Sequence, residues 1–220
     1  VSDGTEEVLD LRYSCPASGS PAAVTMAGTY PSGRLSYVMT VTDDNDTSYV
    51  FSDVFGKTLL RREMSEGVRH DTYFIHDLRD SLVCVLQPEG SARMGAGFSF
   101  GDSFCSSYCF TYRYDERGNV IEKHVPGGGT EVAAYDMRGR MILRADAQMA
   151  ADGIYRYILY DQTDRITQEG YASLTVPIDN VRNAQRGNTS VTEFLTGRMV
   201  TRTVTYYTAD EAPELSLPSG

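Results

Sequence analysis

Five aspartates are the first residues whose recurrence suggests chemistry: Asp53, Asp77, Asp115, Asp136 and Asp161. Paired carboxylates drive glycoside hydrolysis when one is kept protonated beside an ionised partner. Here, however, each aspartate is followed three positions later by Gly56, Asp80, Gly118, Gly139 or Asp164. Glycine takes a positive φ freely, and aspartate tolerates it better than most residues. An aspartate heading such a stretch accepts hydrogen bonds from N–H groups a few residues on and closes a turn. The spacing therefore predicts turn-forming carboxylates, and no catalytic residue is assigned.

The other reactive side chains give less. His70 and His76 are the closest pair of the three histidines. On an extended strand they share a face but stand about 20 Å apart, too far to hold one metal. Cys84 and His76 lie within one candidate hairpin, so a thiol–imidazole dyad is weighed and set below the structural reading. Cys105 and Cys109, read as one strand, stand about 13 Å apart, too far for a disulfide. With Cys15, they are expected to be isolated, mostly buried thiols. No metal and no cofactor is expected: a zinc site needs two further ligands, and Gly127–Gly129 lacks the Lys-Ser/Thr and the helix of a phosphate loop.

The elements that must position the aspartates are strands. Around each one lies a β-rich run, the Asp, two variable residues, Gly or Asp, a polar residue and a second β-rich run. The segments are YVFSDVFGKTLLRR from Tyr49, YFIHDLRDSLVCVL from Tyr73, TYRYDERGNVIEKH from Thr111, VAAYDMRGRMILRA from Val132 and YILYDQTDRITQEG from Tyr157. The aspartates are spaced by 24 residues (53 to 77), 38 (77 to 115), 21 (115 to 136) and 25 (136 to 161). A type I turn followed by one left-handed residue makes a bulged hairpin, so each segment reads as strand, turn, strand. A lone hairpin buries no core, whereas stacked hairpins do. The fold class expected is all-β: tandem antiparallel β-hairpins in a curved or spiralling sheet. The wide gap is filled by Gln87–Phe110, whose middle, Pro88–Gly97, reads as an inserted loop. Pro126–Gly129 reads as a turn between adjacent repeats. Leu9–Ser14 and Leu35–Thr42 read as flanking strands in an N-terminal part, 1–45. Asp43–Asp46 reads as an acidic turn into a repeat region, 46–207. Asn188–Arg198 reads as a turn region before a strand at Thr201–Thr208, and 208–220 as a tail or truncation stump. Ala133–Met149 has helix-forming composition, but its central glycine turn favours strands.

Composition bounds the function. Of 220 residues, 20 are Lys or Arg and 30 Asp or Glu, a net charge of −10, which disfavours binding to phosphate backbones. No apolar run is long enough for a membrane-spanning helix. The 15 Tyr and 8 Phe, with no Trp, suit pleated surfaces.

These segments resemble the bacterial tyrosine–aspartate (YD, or RHS) repeat family. The resemblance is carried by Tyr112-Arg113-Tyr114-Asp115-Glu116-Arg117-Gly118-Asn119, then by Tyr135-Asp136 with Gly139-Arg140 and Tyr160-Asp161 with Asp164-Arg165. Leu195-Thr196-Gly197-Arg198 is also similar to runs found in such chains. Ser52 and His76 depart from the pattern, standing where the other units carry Tyr. The resemblance implies an extracellular or cell-surface location and a non-catalytic scaffold. That scaffold's partners are other segments of the same long polypeptide, including a C-terminal effector domain that the array presents or encloses. The self-cleaving members carry Asp-Pro motifs, and this chain has none. A surface module that recognises glycan or protein is the second expectation. Tyr112, Tyr114, Tyr135 and Tyr160 are its candidate contacts, because a tyrosine ring joins an apolar face to a polar edge. For each ring, packing between strands is the simpler role.

Overall fold

A computed structural model describes residues 7–15, 22–43, 46–187 and 189–204. The expected tail at 208–220, the second half of the Thr201–Thr208 strand and the middle of the acidic turn fall outside these residues. The fold is predominantly antiparallel β. The chain divides into two units, residues 1–114 with 122–130, and residues 115–121 with 131–220.

The first unit begins with β1 (Leu9–Ser14), β2 (Ala23–Thr29), β3 (Ser36–Val41), β4 (Thr47–Ser52), β5 (Thr58–Ser65), β6 (Val68–His76) and β7 (Leu82–Leu86). Then follow α1 (Pro88–Arg93), β8 (Gly97–Ser99), α2 (Ser103–Tyr108) and β9 (Cys109–Tyr114). From β3 to β9, strands adjacent in the sheet run in the order β3-β4-β5-β6-β7-β9, all antiparallel. Their register aligns one row of side chains on one face: Tyr37, Phe51, Leu60, Tyr73, Leu86 and Cys109. All but Tyr37 are buried. A separate sheet, β1-β2-β8, contributes Val24 and Phe98 to the same core, and Val8, just before β1, joins them. The Tyr73 hydroxyl accepts from the Leu9 N–H at 3.3 Å.

The insertion at Pro88–Gly97 is not the loop its composition suggests. Pro88 occupies the start of α1, where its missing N–H costs nothing. Gly90 is there for close packing, since an added Cβ would stand 2.6 Å from Tyr108 Cβ and 2.7 Å from Leu86 Cδ1. Asp102 caps α2 by accepting from the Cys105 N–H at 2.6 Å. Cys105 therefore sits on a helix rather than on the strand face expected for it. A helical turn brings its thiol onto Cys109, which in turn contacts Cys84.

The second unit contains β11 (Gly129–Tyr135), β12 (Met141–Ala145), β13 (Ile154–Tyr160), β14 (Ile166–Leu174) and β15 (Leu195–Val204), paired antiparallel in sequence order. β10 (Val120–Val125) contributes residues to both units. The expected turn at Pro126–Gly129 is present, closed by the Gly128 N–H on the Val125 carbonyl. The Ala133–Met149 stretch is strand, turn and strand, with a short α3 (Ala147–Ala151) at its end. α4 (Ile178–Ala184) buries Val181 against Ala134, Leu143, Tyr157 and Ala172. A short helical turn, Val191–Phe194, leads from there into β15.

Candidate functional site

The five aspartates build one hairpin end, repeated with the same bonds. In each, one carboxylate oxygen accepts the backbone N–H two and four residues on, at 2.8–3.0 Å: Phe55 and Lys57, Arg79 and Ser81, Arg117 and Asn119, Arg138 and Arg140, Thr163 and Arg165. The N–H three residues on donates to the Asp carbonyl, and the Asp N–H donates to the carbonyl four residues on. The third residue takes positive φ throughout: Gly56 82°, Asp80 64°, Gly118 85°, Gly139 77° and Asp164 68°. Strand register slips just before the Asp in the four hairpins whose pairing is described, at Ser52, His76, Tyr135 and Tyr160, as a bulge requires.

Neighbouring ends are tied together within each unit. In the first, the Lys57 ammonium pairs with Asp80 of the next turn. In the second, Arg117 reaches the Asp136 carbonyl at 3.3 Å and also contacts the Met137 carbonyl. Arg138 donates to the Gln162 carbonyl and to Asp164, at 3.0 and 2.7 Å. Arg140 bonds its own Asp136 at 2.7 Å, reaches the Asp161 carbonyl and Asp164, and lies 4.6 Å from the Tyr160 ring centroid. The three arginines thus satisfy backbone acceptors that belong to the neighbouring turn, whereas Lys57 pairs with its neighbour's carboxylate.

The tyrosine preceding the aspartate makes a second link. The Tyr114 hydroxyl donates to the Leu82 carbonyl at 2.7 Å, and the Tyr160 hydroxyl to the Met141 carbonyl at 2.9 Å. Leu82 and Met141 each stand five residues after the aspartate of the preceding hairpin in the same unit. Both rings pack against a core. Tyr112 and Tyr135 are half-buried. Burial raises the hydroxyl pKa of all four tyrosines. Tyr112 and Tyr114 belong to the first unit and Tyr135 and Tyr160 to the second.

The electrostatics oppose acid catalysis by Asp115, Asp161 and Asp164. For Asp115 and Asp161, desolvation pushes the pKa up but is outweighed: hydrogen bonds from Asn119 and Arg117, and from Arg165 and Thr163, hold both below the usual range. Asp164 is lowered first by the hydrogen bond from Arg138. A carboxylate that stays ionised has no proton to donate near neutral pH. The Cys84–His76 dyad does not form. Cys84 is register partner to Ile75, which puts it on the buried face, and His76 points to the other. Cys105 is raised by its hydrogen bond to Cys109 and by burial. For Cys109 the bond from Cys105 pulls down, but Cys84 and burial prevail. Raised thiols are poor nucleophiles. His124 is held between the Thr130 hydroxyl and the Ser106 carbonyl, at 3.3 and 3.2 Å. Among the described residues, no cluster of three or more His, Cys, Asp or Glu is placed to hold a metal ion, and no helix is long and apolar enough to cross a membrane.

The polar partners of Arg62, Asp71 and Arg182, and the burial of His76 Nδ1, do not follow from the sequence pattern. Arg62 and Asp71, on facing strands, form a buried two-pronged ion pair at 2.7 and 2.8 Å. Arg182 of α4 reaches the Ala133 and Ile121 carbonyls at 3.0 and 2.6 Å. His76 Nδ1 is buried without a hydrogen-bond partner. Only an odd charge in an apolar alternation marks Arg62 and Asp71, and many exposed strand residues carry the same mark. No protein-family model and no curated protein matches the chain.

Proposed function

We propose that the chain is a non-catalytic structural segment of a YD-repeat array, a scaffold whose hairpins stack to present or enclose another domain of the same polypeptide. One observation carries this reading: the same Asp-centred turn occurs five times, and cations and tyrosine hydroxyls bond each hairpin to the next. Such bonds specify how one unit follows another, which is what an array needs. The recurring chemistry is consumed internally, since the carboxylates accept backbone N–H groups and the Tyr114 and Tyr160 hydroxyls are spent on neighbouring carbonyls. Further repeats of the same kind would extend the strip into a curved or spiralling wall. A secreted or cell-surface setting, and an effector domain as partner, follow from the family resemblance.

Limited proteolysis of the polypeptide that carries the array tests the proposal. Protection of a neighbouring domain, lost when Asp115→Ala and Asp136→Ala loosen the turns, is the expected result. A neighbouring domain digested equally fast with intact and loosened turns overturns the enclosing role. Saturable binding to a glycan panel that Tyr112→Ala and Tyr135→Ala abolish would replace it with surface recognition.

A further inference from the structure

We infer that β3 is a self-pairing edge, through which two copies of this chain join their sheets antiparallel about a two-fold axis at Met39. Among the described residues, β3 ends its sheet. All six of its residues are exposed, with Tyr37 at 51%, Val38 at 67%, Met39 at 53% and Val41 at 51%. The strand, Ser36-Tyr37-Val38-Met39-Thr40-Val41, contains no charge, proline or glycine, and its pairing with β4 has no register shift. It therefore lacks the features that keep edge strands from pairing. By contrast, β1 carries Asp10 and Arg12, and β8 has three residues.

The chain's own preceding strands do not cover this edge, because β1 and β2 are committed to the sheet with β8. The core row Phe51, Leu60, Tyr73, Leu86 runs out at Tyr37, whose ring lies 5.6 Å from that of Phe51. A second copy continues that row.

The backbone fixes the register. The Thr42 N–H donates to the Asp46 carbonyl, on the β4 side. Alternation along an antiparallel strand then turns the N–H and C=O of Tyr37, Met39 and Val41 to the open edge. A two-fold axis perpendicular to the sheet pairs Met39 with Met39 and Tyr37 with Val41, making about six backbone hydrogen bonds. All three side chains of each copy then lie on one face, with an aromatic ring opposite a β-branched residue. The pairing is isologous and closes at two copies.

Sedimentation velocity and oxidative cross-linking test the inference, in a Cys15→Ser background that removes the exposed native thiol. The mass is expected to double as concentration rises from low to high micromolar. Met39→Lys, which sets two ammonium groups against each other at the axis, is expected to remain monomeric while giving an unchanged circular-dichroism spectrum. Met39→Cys is expected to cross-link to a covalent dimer with diamide, because facing Cα atoms at such a pair fall in disulfide range. Val38→Cys, whose partner is Thr40, is not. A strictly monomeric parent, a dimer that survives Met39→Lys, open-ended polymers, or Val38→Cys cross-linking as fast as Met39→Cys would each overturn it. Failure here leaves the array reading standing, since that reading rests on the Asp-headed turns and the bonds between them.

Discussion

At the scale of single residues, the turn aspartate matters for what it accepts, not for what it could donate. Asp115 takes the Arg117 and Asn119 N–H groups on one oxygen and the Asn119 side-chain amide on the other, each at 2.9 Å. Removing the acceptor leaves those donors to water and frees a loop that needs Gly118 at φ 85°. Asp115→Ala is expected to cost about 1–2 kcal/mol in urea denaturation, the range for losing a capping acceptor. The residues between the aspartate and the glycine provide the control. Phe55 is 89% exposed, and its turn bonds are backbone bonds. Phe55→Ser should therefore change stability by less than about 0.5 kcal/mol. Equal losses for the two substitutions would mean that the side chains at the turn tips matter as much as the carboxylate.

At the scale of elements, the hairpin is the unit and its links to the next hairpin set the order. The Tyr160 hydroxyl bond to Met141 ties β13 to the start of β12. Tyr160→Phe keeps the ring on Arg140 and the core, and removes only that bond. Hydrogen exchange of the β12 amides is expected to rise by roughly fivefold, equivalent to about 1 kcal/mol for one hydrogen bond, while amides of the first unit keep their rates. A uniform increase across the chain would mean that the bond supports global stability rather than one junction. The Arg62–Asp71 pair behaves differently, because it is buried. Asp71→Asn should cost about 3–5 kcal/mol by leaving the buried guanidinium without its carboxylate, whereas Arg62→Met with Asp71→Leu should recover most of the loss. A double variant as unstable as the single one would show that the pair does more than neutralise itself.

These elements differ in how legible they are. Asp-x-x-Gly is readable because every bond it makes falls within five residues. The bulged hairpins follow from it, and so does the antiparallel fold class. Arg62 and Asp71 are unreadable as a pair because only the β5–β6 register aligns them. The stretch around Gly90 misleads for a related reason. Its glycine looks like flexibility, yet it exists because Tyr108 and Leu86 leave no room for a side chain. β2 goes unread because its sheet is completed by β8, about seventy residues later in the chain. The tyrosines before Asp115, Asp136 and Asp161 are legible as a repeated residue, but the carbonyls that the Tyr114 and Tyr160 hydroxyls reach lie in another hairpin.

For the whole molecule, the charged groups combine into a pH profile with two falling steps. His76 has its pKa lowered, first by burial and then by Lys57, and its Nδ1 has no partner. A histidine that titrates lower when folded binds fewer protons than the unfolded chain does. Its contribution is therefore complete above the unfolded value of about 6.5 and is lost as pH falls below it. The turn carboxylates of Asp115, Asp161 and Asp164 are also lowered on folding. Their contribution is complete above the unfolded value of about 3.9 and is lost in more acid solution. The urea midpoint should thus be level only around pH 7 to 8, because above about 8.5 the raised Cys105 and Cys109 thiols ionise more readily in the unfolded chain. On the acid side it should drop in a first step below about 6.5 and again below about 4. His76→Phe keeps a ring at the position where other repeats carry tyrosine, and is expected to remove the first step while leaving the second. A first step that persists unchanged in that variant would assign it to another group and would mean that the half-buried imidazole is tolerated in either charge state. If the second step were absent, the turn carboxylates would be ionising as freely in the folded chain as in the unfolded one, and the hydrogen bonds they accept would contribute nothing to holding the hairpin ends.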